Sequence, residues 1–130
     1  MSSRRRHGAE RRRFPRIAEE LVVRFEPLAD QPSLEQGRTL NLSAGGVLIL
    51  AHEPLPHGQR IRVVLALPGD DSPIEITGQV GRVRSLSDRV HEIAIEFFEG
   101  NIGKQSRLLD YIEERLDSGG DPEPVSPMSA

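Results

Sequence analysis

A two-residue apolar alternation recurs along most of this chain and narrows its possible folds more than any other pattern in it. In "QRIRVVLALP" it puts Ile61, Val63, Leu65 and Leu67 on one face, and in "VHEIAIEFFE" it does the same for Ile93, Ile95 and Phe97. "EELVVRFEP" sets Leu21, Val23 and Phe25 against Val22, Arg24 and Glu26. Successive strand side chains point to opposite sides, so each segment reads as a strand with one face in a core. "RTLNLS" reads as a further short strand and "VLILA" as a buried one. "IEITGQVGRVRSL" reads as a long strand in which Gly78 or Gly81 marks a bulge or a close approach.

Turn chemistry separates these segments. Pro32 and Gly37 break "LADQPSLEQG", "AGG" turns after Ser43, Pro54 and Pro56 break "HEPLPHG", and Gly69 to Pro73 and Ser87-Asp88 close two more connections. About six strands joined by short turns predict a mainly β domain, an antiparallel barrel or sandwich. After Gly100 the period changes: Leu108, Leu109, Ile112 and Leu116 recur at helical spacing, and Gly119-Gly120 supplies a stop. The expectation is an amphipathic helix that packs against the strands.

A chain of 130 residues is expected to form one domain. Residues 1–9 read as a flexible basic leader, and the tail "DPEPVSPMSA", with three prolines, as disordered from 118 onward.

Several function classes are excluded. With no cysteine there is no disulfide, zinc-thiolate site or cysteine nucleophile, which fits the expected cytoplasmic location. No run of about 18 apolar residues exists, so membrane insertion is not expected, and the N-terminus lacks the apolar stretch of a secretory signal. His7, His52, His57 and His91 lack metal-ligand spacing and read as solvent-facing. No serine occupies a nucleophile elbow, and Gly45-Gly46 is not followed by the Gly-Lys-Ser/Thr of a phosphate loop. The chain is therefore not expected to be an enzyme or to hold a metal.

Charge is segregated. Arg4, Arg5, Arg6, Arg11, Arg12, Arg13 and Arg16 stand against Glu10 alone in the first 16 residues, while the whole chain carries −3. A protein that coats nucleic acid is basic over a whole face, because phosphate neutralisation supplies most of that affinity. A short basic arm on an acidic body points instead to a small anionic partner. Guanidinium suits that role: it pairs bidentately with phosphate or the O6/N7 edge of guanine and stacks on base planes. Phe14 and Pro15 separate Arg12 and Arg13 from Arg16, bias the chain towards extended geometry and add an apolar anchor. Arg4 to Arg6 read as leader with no assigned role.

"LNLSAGGVLIL", residues 40–50, is on its own a hairpin whose turn uses Ser43, Gly45 and Gly46 for tight geometry. Asn41 and Ser43 share one side of their strand by period two, and both offer hydrogen bonds. Gly46 removes a side chain where a ligand would approach.

Taken together, the two segments resemble the PilZ domain family. "RRFPR", with Arg12 and Arg16, looks like its RxxxR motif, and "NLSAGG", with Asn41, Ser43 and Gly46, looks like its (D/N)xSxxG motif. The order and the intervening strand and loop also match, and the resemblance spans about residues 10–117. It implies a six-stranded antiparallel β-barrel followed by a C-terminal α-helix. It also implies binding of cyclic di-GMP, a bacterial second messenger with two guanines and two phosphates. Arg12 and Arg16 would grip guanine edges and phosphates. Asn41, Ser43 and Gly46, with Gly45 beside them, would form the receiving face. Arg11 and Arg13 would add contacts, and Arg82 and Arg84 could line the same surface. The implied role is a stand-alone receptor or adaptor that changes conformation and signals to a protein partner. The alternative is a small β-barrel that binds single-stranded nucleic acid through its arginine arm.

Overall fold

Every alternating segment forms a strand. The chain is described by a computed structural model over residues 14–28, 34–69, 72–98 and 102–118. The expected leader and tail, and Arg11, Arg12 and Arg13, lie outside the described residues. The strands are β1 (Arg16–Ile17), β2 (Val22–Pro27), β3 (Glu35–Ser43), β4 (Gly46–Ala51), β5 (Arg60–Leu65), β6 (Ile74–Ser87) and β7 (Val90–Phe97), and they precede a helix, α1 (Ile102–Asp117). All pairings are antiparallel, and the order β3-β2-β5-β6-β7-β4 closes through β3 and β4. The closed six-stranded barrel expected from the sequence is present, with β1 as a two-residue addition. Because Ser43 pairs with both Arg16 and Gly46, β1 lies on the side of β3 away from β4, in line with β2.

The barrel is filled by the residues that alternation assigned to one face. Val23, Phe25, Ile61, Val63, Leu65, Ile93 and Ile95 are all buried. Most are β-branched, which suits a pleated surface packed on one side. Leu108 and Ile112 of α1 are fully buried as the helix packs on β1, β3 and β6. Each such side chain contributes about 1.5–3 kcal/mol over leaving it in water.

Two expectations are corrected. Gly37 does not break the chain; it lies inside β3, where an added Cβ would collide with the Leu50 carbonyl, so glycine permits close strand approach. His91 does not face solvent. It shares the inward face of β7 with Ile93, is 6% exposed, and its Nδ1 lies 2.7 Å from the Ser85 hydroxyl. Its Nε2 is buried and has no hydrogen-bond partner among the described residues.

Two bulges decide which residues face outward. In β3 the pair Thr39–Ile49 is followed by Asn41–Leu48, so Leu40 is an extra residue. Thr39 is fully buried, and regular alternation would have turned Asn41 and Ser43 inward with it. The bulge reverses the parity: Leu42 enters the core, and Asn41 and Ser43 move to the outer face. In β6 the pair Val80–Ile95 is followed by Arg82–Ala94, so Gly81 is the extra residue. Ile74, Ile76 and Val80 point in, whereas Arg82 and Arg84 beyond the bulge are exposed.

Candidate functional site

The antiparallel register joins distant segments into two outward rows. One runs Arg16–Ser43–Gly46–Glu96–Gln79 across β1, β3, β4, β7 and β6. The other runs Asn41–Leu48–Ala94–Arg82 across β3, β4, β7 and β6. Between them lies the inward row Ile17–Leu42–Val47–Ile95–Val80, every member of which is buried. The outer face thus has an arginine at one end, two half-buried apolar residues (Leu48 and Ala94) in its floor, and Arg82 exposed at the far side. Arg84 is drawn into an ion pair with Glu92, Nε to Oε1 3.4 Å.

The turn between β3 and β4 is stapled by Ser43. The amides of Gly45 and Gly46 approach its Oγ at 3.1 and 3.2 Å, and the hydroxyl reaches back to the Gly46 carbonyl at 3.3 Å. Ser43 is 6% exposed and Asn41 9%. Among the described residues, positive φ is confined to Gly58 and Gly69, so Gly45 and Gly46 are not needed for left-handed backbone. They are needed for space. A Cβ at Gly45 would sit 2.9 Å from Cδ2 of Phe14, and one at Gly46 would collide with the Ile95 carbonyl on β7. The missing side chain at Gly46 therefore serves strand packing, while the one at Gly45 makes room for the aromatic ring of the arm.

The arm enters the barrel through a connector that sequence reasoning did not single out. From Ile17 to Val22 the arm advances five residues while β3 advances four, from Leu42 to Arg38. The surplus residue takes the connector out of the ladder, and Thr39 satisfies what is left over. Its buried hydroxyl donates to the Glu19 carbonyl at 2.5 Å and accepts from the Leu21 amide at 2.8 Å, while its own amide donates to the Leu21 carbonyl at 2.9 Å. The Glu19 carboxylate turns towards α1. The Tyr111 hydroxyl donates to its Oε2 at 2.7 Å, and Arg115 Nε lies 3.3 Å from Oε1. Burial first, then the hydrogen bond and charge of Glu19, push the Tyr111 phenol above its ordinary value; Arg115 acts in the opposite direction. The inward parity that Thr39 shares with Gly37 was the available signal for a buried hydroxyl, and a carboxylate in "AEELVV" carried none.

Of the residues singled out from sequence, Arg16, Asn41, Ser43, Gly45 and Gly46 come together at the β1–β3–β4 junction, and Arg82 shares a row with Asn41. Arg11, Arg12 and Arg13 lie outside the described residues. Among the described residues no group of three or more His, Cys, Asp or Glu side chains is placed to hold a metal. No helix among them is long and apolar enough to cross a membrane.

Comparison with known proteins agrees with this fold. The family model described as "PilZ domain" matches residues 10–114. Among solved structures, the chain is similar to the Bacillus subtilis inhibitor of motility, MotI/DgrA, at 22% identity and a TM-score of 0.69, covering 82% of this chain and 51% of that one. It is similar to the PilZ domain with c-di-GMP of YcgR from Escherichia coli, at 20% identity and a TM-score of 0.60, covering 83% and 97%. It is similar as well to the Klebsiella ("K. pneumonia") MrkH–c-di-GMP complex, at 22% identity and a TM-score of 0.60, covering 82% and 52%. The chain thus spans about half the length of MotI/DgrA and of MrkH. No curated protein sequence matches it significantly.

Proposed function

The chain belongs to the PilZ domain family, and from that premise we propose that it is a receptor for cyclic di-GMP, gripped between the arginine arm and the outer face of the barrel. In this reading Arg12 and Arg16 take guanine edges and phosphates, with Arg11 and Arg13 beside them. Asn41, Ser43, Gly45 and Gly46 form the receiving edge. A change of conformation on binding the ligand then presents an altered surface to a protein partner in the cytoplasm. The domain extends over residues 10–117, preceded by the basic leader.

The observation that carries the reading is the pairing of Arg16 with Ser43, which brings members of two separate sequence motifs into one outward row. It is supported by the ligand named for two structural neighbours, YcgR and MrkH. The chemistry agrees: a bidentate arginine contributes roughly 1–3 kcal/mol of discrimination for guanine. Two such grips plus phosphate pairing bring micromolar binding, about 8 kcal/mol, within reach. The nucleic-acid alternative is disfavoured. Such barrels present aromatic stacking platforms, whereas Phe25 and Phe97 are buried and Phe14, Phe98 and Tyr111 are only partly exposed.

Calorimetric titration of the full chain with cyclic di-GMP is the test. Saturable binding is expected at tens of micromolar protein, and no heat at that concentration would sink the reading. Oligonucleotide binding with a steep salt dependence and no preference for cyclic di-GMP would install the alternative.

A further inference from the structure

We infer that Glu19 couples the arm to helix α1, so that occupancy of the arm site and docking of α1 on the barrel favour one another. This rests on the cyclic di-GMP reading above and adds to it a route from the site to a distant element.

The root of the arm is where the coupling begins. Arg16 and Ile17 pair with Ser43 and Leu42, but the next residues leave the ladder because of the surplus residue before Val22. Outside regular pairing, a backbone is only as fixed as the side chains that hold it. Besides the exposed ion pair of Glu20 with Arg38 at 2.9 Å and the Thr39 amide on the Leu21 carbonyl, two side-chain holds are seen here. Thr39 catches the Glu19 carbonyl and the Leu21 amide. Tyr111 and Arg115, one turn apart on α1, catch the two oxygens of the Glu19 carboxylate. Glu19 lies three residues on from Arg16, a reach of roughly 10 Å in an extended chain. A displacement of Arg16 is thus transmitted to a carboxylate that α1 grips from the other side.

The packing points the same way. Ile17 is 2% exposed and belongs to the same buried cluster as Leu108 and Ile112 of α1, and the helix packs directly on β1. The Glu19 side chain is 16% exposed, so lifting α1 removes two donors from a sheltered carboxylate and opens the apolar seam over Ile17. A ligand that immobilises Arg16 stabilises the connector and hence the docked helix. By linkage, a helix held more loosely weakens the ligand by the same factor. Glu19 and Tyr111 are positioning residues in this scheme, acting on the ligand through Arg16.

Amide hydrogen exchange of the full chain, with and without cyclic di-GMP, reads the coupling directly. In the unaltered protein, amides of Leu108–Arg115 are expected to exchange about fivefold more slowly or better when the ligand saturates the site, the lower end of typical coupling. Tyr111→Phe and Glu19→Gln are each expected to remove that protection and to weaken calorimetric affinity about fivefold. The double variant should be no weaker than the weaker single one, because both break one link. Circular dichroism establishes that each variant is folded, and the exchange experiment on the unaltered protein decides even if one is not. Ligand binding without altered exchange in α1, or folded variants with unchanged affinity, overturns the coupling and leaves the receptor reading intact. Absence of binding by the unaltered chain removes both.

Discussion

Arg16 stands directly opposite Ser43 in the pairing of β1 with β3. That relationship ties the last arginine of a basic segment to the serine that staples the β3–β4 turn, two groups 27 residues apart in the numbering. A strand of two residues is too short to hold itself; Ile17, buried beneath α1, and Phe14, against Gly45, fix its position. Arg16 is therefore the point at which the proposed ligand contact, turn geometry and core packing meet.

Loss of Arg16 or Arg12 should weaken cyclic di-GMP binding at least tenfold, since each proposed bidentate grip is lost outright. Arg4→Ala should change it little. Calorimetry on the three variants checks this, and equal losses at all three positions would mean an unspecific basic arm.

The two turn glycines should separate stability from binding. Gly46→Ala drives a Cβ against the Ile95 carbonyl, a backbone atom that cannot yield cheaply, and should destabilise the fold by about 1–3 kcal/mol. Gly45→Ala presses closely only on the Phe14 ring, which can move, so its cost in urea unfolding should be smaller. Because Phe14 rides on the arm, Gly45→Ala should instead show its larger effect on ligand affinity.

Thr39→Val keeps the shape of the side chain but removes the hydroxyl that serves Glu19 and Leu21. With Thr39 fully buried, the stranded Leu21 amide should cost about 1–3 kcal/mol of stability in denaturant unfolding. Restoration by Thr39→Ser, apart from the lost methyl, distinguishes the hydrogen bonds from packing.

The Tyr111 phenol sets a pH dependence. Its folded-state value is raised above the ordinary 10.0, so the folded chain holds the proton more tightly than the unfolded one. Below pH 10.0 both states are protonated and the contribution is complete; above it the unfolded chain loses its proton first and stability falls. Melting temperature should therefore drop as pH rises past that point, and Tyr111→Phe should drop less steeply. Parallel decline in both proteins would mean that Tyr111 is not the group responsible.

Much of the fold was legible from alternation alone. Val23, Val63 and Ile95 are buried as their spacing requires, because period two is a property of each strand by itself. The helical stripe of Leu108 and Ile112 was equally plain. Gly37 and His91 were misread because composition near a residue does not reveal how closely the next strand passes or which way an isolated polar side chain turns.

The site divides along the same line. Residue type and spacing within single segments were enough to specify the six barrel strands in outline, the helix and the two motifs, but not β1 or the start of β3. They could not specify that Asn41, Ser43 and Arg82 face outward together. That outcome depends on single extra residues, Leu40 and Gly81, whose bulges exist only relative to neighbouring strands in the folded barrel. The meeting of Glu19 with Tyr111 is likewise a product of the packed molecule, a contact between residues 92 positions apart that no local pattern encodes.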